Sequence, residues 1–124
     1  MHDITMARSI VQTVLEAAQA RQATAVQEIE LVIGELTMLS PDQVEFWVRE
    51  LLNGTIGQGA EVKVTVRGPE VRCAKCGYEG AVAVSDDPIY HLMAFTPACP
   101  ECGAADLEII AGNECMIRNI RASR

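Results

Sequence analysis

The sequence predicts an α+β fold: a small three-stranded sheet with two helices on one face, plus an inserted segment held by four cysteines. Three observations carry this. Segments with helical and strand periodicity alternate along the chain. Two close cysteine pairs fall between the second and third strand patterns. Nearly half of the 124 residues are apolar but only 4% are aromatic, which suits one modest Val/Ile/Leu/Ala core.

Residues 4–20 form the first helix. Ile10, Val11, Val14, Leu15 and Ala18 recur at helical spacing and share a face. In Val26–Ile33, Gln27, Ile29, Leu31 and Ile33 alternate with Val26, Glu28, Glu30 and Val32. This predicts a half-buried strand whose second face bears solvated carboxylates. Gly34 ends it. Ser40-Pro41-Asp42-Gln43 marks a helix start, with Ser at N-cap, Pro at N1 and Gln at N3 of a capping box. Val44, Trp47, Val48 and Leu51 supply its buried stripe, and Asn53-Gly54 stops it. Alternation returns over 60–67, with Val62, Val64 and Val66 on one side, and a third strand follows over 114–121. Residues 1–69 together with 111–124 are thus expected to form the α/β part, with 70–110 inserted between its last two strands.

The insert contains Cys73-Ala-Lys-Cys76-Gly77 and Cys99-Pro-Glu-Cys102-Gly103. Two C-x₂-C turns, each followed by a glycine, suit a tetrahedral four-thiolate metal site. The glycine permits positive φ, so that amide N–H groups can approach the sulfurs. Zn²⁺ fits such a set and iron is its competitor. The segment is predicted to be a zinc-ribbon-like Cys₄ subdomain, too poor in large apolar side chains to fold without its metal. A closed sulfur shell leaves no position for substrate, so the metal is structural. His91, before Cys99, is expected in a surface loop, and Cys115 as a small buried hydrophobe.

The composition excludes several function classes. No apolar run nears the ~18 residues that cross a bilayer, and the first residues lack the pattern of a signal peptide. A cytoplasmic protein without membrane contact is expected. Reducing conditions and an odd total of five cysteines favour metal ligands over disulfides. A net charge of −7, with no basic stripe, disfavours nucleic-acid binding. With two histidines, no nucleophile elbow and no phosphate-binding glycine loop, the chain lacks a catalytic constellation and is not read as an enzyme.

His2 adds a second metal chemistry. The α-amine of Met1, the His2 amide nitrogen and its imidazole can chelate one ion in adjacent five- and six-membered rings. Deprotonated amides give the strong ligand field that suits tetragonal Ni²⁺ or Cu²⁺. Asp3 can add an oxygen or its own amide; its structural role is N-cap of the first helix.

Met1-His2-Asp3, the strand ending Ile33-Gly34-Glu35-Leu36, the Ser40-Pro41 helix and Gly54-Thr55 occur in this order. The two cysteine pairs and Gly112-Asn113-Glu114 then follow. Over its full length the chain resembles the HypA/HybF family, nickel-insertion accessory proteins of [NiFe] hydrogenase. The resemblance implies a nickel metallochaperone. Its α/β part would bind Ni(II) through His2, with Met1 and Asp3 behind it, and its zinc part would hold Zn(II) through Cys73, Cys76, Cys99 and Cys102. A HypB-family GTPase and the hydrogenase large subunit are the implied partners; some relatives also serve urease. One departure is Asp3, where the family usually has Glu, one methylene longer. The rivals are a rubredoxin-like iron electron carrier, disfavoured by the scarcity of aromatics, and a zinc-ribbon interaction module.

Overall fold

The computed structural model describes residues 2–82, 98–105 and 107–124. In order these form α1 (His2–Ala20), β1 (Ala25–Gly34), a 3₁₀ turn (Glu35–Thr37), α2 (Pro41–Leu51), β2 (Glu61–Arg67), β3 (Glu70–Cys73), β4 (Glu79–Ala81), β5 (Leu107–Ala111) and β6 (Cys115–Ser123). They build two three-stranded sheets, ordered β2-β1-β6 and β4-β3-β5. The described residues group into two compact units. One lies within Met1–Val32, Leu39–Thr65 and Met116–Arg124, the other within Ile33–Met38 and Val66–Cys115.

In the first unit, α1 buries Ala7, Ile10, Val11, Val14 and Ala18, a stripe at helical spacing, and packs on α2. Its C-terminus has no glycine. Gln22 takes the left-handed conformation instead (φ 59°), and the Ala23 N–H reaches back to the Ala18 carbonyl at 2.9 Å. The second helix buries Val44 and Val48, and Leu52 just after it; Trp47 and Leu51, expected in the stripe, are only half-buried. N–H groups of Thr24 and Gly34 bond to the Ser123 and Glu114 carbonyls, so β1 and β6 run antiparallel. Glu28 stands beside Lys63 and Glu35 beside Gly68, a nearly constant offset that marks β1 and β2 as parallel neighbours.

Being central, β1 is buried on both faces, and this corrects the expected solvated carboxylate row. Glu28 is 9% exposed and bonds the Lys63 ammonium at 2.7 Å. That bond holds the Glu28 carboxyl below its ordinary value against the opposing effect of burial.

The second sheet was not expected, since its strands are too short to show periodicity. It is antiparallel throughout. Arg72, in the central strand, lies opposite Glu79 on one side and Glu108 on the other. It donates to both, at 2.9 Å and 3.5 Å. Segments 33–38, 66–70 and 111–115 pass close together here. Leu36 donates to the Gly112 carbonyl at 2.9 Å, and a Cβ on Gly34 would collide with that carbonyl.

Candidate metal centres

Cys73 ends β3, and the turn to β4 carries Cys76; Cys99 and Cys102 sit on a second turn that leads toward β5. The two turns share one hydrogen-bond pattern. Gly77 N–H bonds the Cys73 carbonyl at 3.0 Å, and Gly103 N–H bonds the Cys99 carbonyl at 2.9 Å. Each turn closes one residue further on: the N–H of Cys73 reaches the Tyr78 carbonyl, and that of Cys99 the Ala104 carbonyl, both at 2.8 Å. Gly77 and Gly103 have φ of 79° and 75°, as the motif requires. A Cβ on either would meet no neighbour, so glycine is needed there for its backbone and not for space.

These turns aim four sulfurs at one point. All four lie within 4.8 Å of one another, with Cys73–Cys102 and Cys76–Cys99 at 3.6 Å. A tetrahedral ion with metal–sulfur bonds of about 2.3 Å sets its ligands about 3.8 Å apart, so the thiols stand at ligand spacing. They are too far apart for disulfides, and all five cysteines are free. The donor set fits Zn²⁺. Cys73 and Cys99 are buried, whereas Cys76 and Cys102 face solvent.

The backbone prepares the thiolates unequally. The Cys76 N–H, followed by that of Lys75, draws the Cys73 thiol down to about 7, against burial. Burial also opposes ionisation of Cys99, but the N–H groups of Cys102 and Glu101 bring it down. Cys76 moves the other way. The Tyr78 N–H favours its thiolate, yet burial and the thiols of Cys99, Cys73 and Cys102 outweigh this and push it up to about 12. One sulfur of each pair therefore ionises first, and a metal must displace the remaining protons.

Around the second expected centre, α1 begins at His2, two residues before the expected start. The N–H groups of a helix's first turn have no intrahelical acceptor, so the backbone nitrogens of His2 and Asp3 are not engaged by the ladder. Met1, the His2 side chain and His91 lie outside the described residues. Asp3 is not the N-cap of α1. Its Oδ1 instead accepts the Ser40 N–H at 2.9 Å, at the start of α2. Ser40 caps α2 as expected, its Oγ accepting the Gln43 N–H at 3.4 Å, but the reciprocal half of the capping box is made by Asp3 in place of Gln43. Cys115 is half-buried, and burial pushes its thiol up.

Two helices, two small sheets and a tetrathiolate cluster define a small α+β metal-binding protein. Residues 1–122 match the family model described as "Hydrogenase/urease nickel incorporation, metallochaperone, hypA". The hydrogenase maturation factor HypA of Methanothermobacter thermautotrophicus is 40% identical, covering 100% of this chain and 98% of its own. That of Pyrococcus abyssi is 34% identical, at 100% and 97% coverage. The solution structure of the Ni metallochaperone HypA from Helicobacter pylori shares the fold with a TM-score of 0.67 at 16% identity, covering 98% of this chain and 97% of that one. The chain belongs to the HypA family, the nickel metallochaperones of hydrogenase maturation. Membership over the full length removes the rubredoxin-like alternative. Among the described residues no helix is long and apolar enough to cross a membrane.

Proposed function

We propose that this protein captures Ni²⁺ at its N-terminus and hands it to the large subunit of a [NiFe] hydrogenase, in concert with a HypB-family GTPase in the cytoplasm. The supporting observation is the match over residues 1–122 in a chain that carries Met1-His2-Asp3 together with the complete cysteine set. The amine of Met1, the backbone nitrogens of His2 and Asp3 and the His2 imidazole form the nickel ligand set. Nitrogen donors of this kind bind Ni²⁺ firmly at neutral pH and release it as ligands are exchanged one at a time by the recipient. Protonation of the imidazole, with a reference pKa of ~6.5, weakens capture as pH falls. The protein is a carrier and performs no catalysis of its own.

Cys73, Cys76, Cys99 and Cys102 hold a structural Zn²⁺ that neutralises the thiolates and fixes the two turns. In this division residues 1–69 with 111–124 carry the cargo, and 70–110 carry the zinc. Calorimetric nickel titration of untagged protein tests the proposal. His2→Ala, and separately one extra residue ahead of Met1, should each abolish the high-affinity phase while zinc content stays at one equivalent. Unchanged nickel affinity in both variants would refute the terminal chelate.

A further inference from the structure

The bond from Ser40 to Asp3 joins residues 37 positions apart and is part-buried. It engages the side-chain carboxylate of Asp3. It also supplies the acceptor that the α2 N-cap would otherwise draw from Gln43. We propose that the Asp3 carboxylate is a positioning residue and not a metal ligand: it clasps the first turn of α1 to the N-cap of α2, fixing the direction in which the terminal nitrogen donors face. This rests on the terminal nickel site proposed above and specifies the role of position 3 within it.

Were Oδ1 to swing onto Ni²⁺, the part-buried Ser40 N–H would lose its partner, and an unpaired buried donor is costly. The N-terminal dipoles of both helices favour a carboxylate where it stands. Position 3 then offers the metal its backbone nitrogen only. The clasp holds that nitrogen in place through the same residue's side chain, so ordering the terminus costs less entropy on capture.

Three substitutions and a control separate the roles. Asp3→Asn keeps one oxygen for the Ser40 N–H and replaces the other with a non-ligating NH₂. Asp3→Ala removes the clasp. Ser40→Pro removes the donor at a φ of −84°, which the proline ring accommodates, and Ser40→Ala controls for the lost Oγ cap. Amide exchange of nickel-free, zinc-loaded protein reads the clasp itself: Ser40 should exchange faster in Asp3→Ala and return to the wild-type rate in Asp3→Asn. Nickel calorimetry reads its consequence. Asp3→Ala and Ser40→Pro should each weaken binding about tenfold, the double variant no further, with Asp3→Asn and Ser40→Ala close to wild type.

Two results would overturn the proposal. If Asp3→Asn binds as weakly as Asp3→Ala while Ser40→Pro binds normally, the carboxylate is a ligand. Wild-type affinity in all four variants would leave the clasp without influence on capture. Undiminished binding by His2→Ala removes the terminal site, and the positioning role with it; Ser40 exchange still reports separately whether the bond exists.

Discussion

At the scale of single residues, two glycines that look alike in the sequence are present for different reasons. Gly34 has an extended backbone (φ −75°, ψ 139°) that any residue can adopt, but a Cβ there would strike the Gly112 carbonyl. A Cβ on Gly112, at φ 92°, would in turn lie 2.6 Å from the Pro69 Cα. Neither backbone can retreat, because Gly34 and Leu36 N–H groups bond Glu114 and Gly112 carbonyls at 2.9 Å. Gly77 is the converse, with positive φ and open space. Gly34→Ala should therefore cost roughly 3 kcal/mol in urea unfolding of the zinc-loaded protein, and Gly77→Ala about 1 kcal/mol. Equal losses would mean that backbone crowding does not distinguish them. A second residue-scale expectation concerns Glu28 and Lys63. The bond to Lys63 lowers the Glu28 carboxyl from its ordinary 4.5, and the same bond raises Lys63 from 10.5. Glu28 thus contributes stability above 4.5 that is lost as pH falls, and Lys63 contributes below 10.5 until pH rises past it. The gap in urea midpoint between wild type and Lys63→Met should be open at pH 7 and close toward pH 3. A gap of constant width would show that the ion pair is not its source.

Elements were legible in the sequence in proportion to their length and to how one-sided their burial is. Helix α1, strand β2, strand β6 and the Ser40 cap all lie close to where periodicity and capping chemistry put them. The α1 C-terminus was legible only as the end of a pattern, because Gln22 occupies the left-handed position that glycine usually marks. Relieving that strain gives an element-scale prediction: Gln22→Gly should stabilise the fold by about 0.5–1 kcal/mol, seen as a raised thermal midpoint. The gain is partial because glycine also adds freedom to the unfolded chain. No change, or a loss, would mean that the Gln22 side chain contributes contacts worth as much as the strain. β1 misled the pattern because a central strand buries both faces, and Glu28 is tolerated inside chiefly through Lys63 on the neighbouring strand, a partner that no local window reveals. The β3–β5 sheet escaped for a different reason. Strands of four, three and five residues carry too little alternation to be read, and register is set by pairs such as Arg72 with Glu79 and Glu108. The cysteine cluster was the most legible feature, since metal-ligand spacing is written in four consecutive-turn positions. Asp3 was the least, because its partner lies 37 residues away.

At the scale of the whole molecule, the two units draw their stability from different sources. The first buries a continuous apolar set from α1, α2, β1 and β2, including Val14, Ile29, Leu31, Val44, Val48 and Leu52. In the second unit, by contrast, the buried side chains among the described residues are Ile33, Pro69, Val71, Ala111 and two of the four cysteines, while Ile109 and Ile110 stand exposed. That burial, at about 0.8 kcal/mol per methylene, is small beside the entropy of ordering these strands and two turns. A structural zinc site adds on the order of 10 kcal/mol at neutral pH. Chelation should therefore act on one unit and spare the other. On adding excess chelator, amide protection in β3, β4 and β5 should collapse, while that of α1, α2 and β1 persists and helical circular dichroism changes little. The pH dependence has the same origin: zinc retention should fail as acid protonates the thiolates. If chelation instead abolished protection in α1 and α2 to the same extent, the fold would be a single cooperative body, and the thiolate site would stabilise the helices as well as its own sheet.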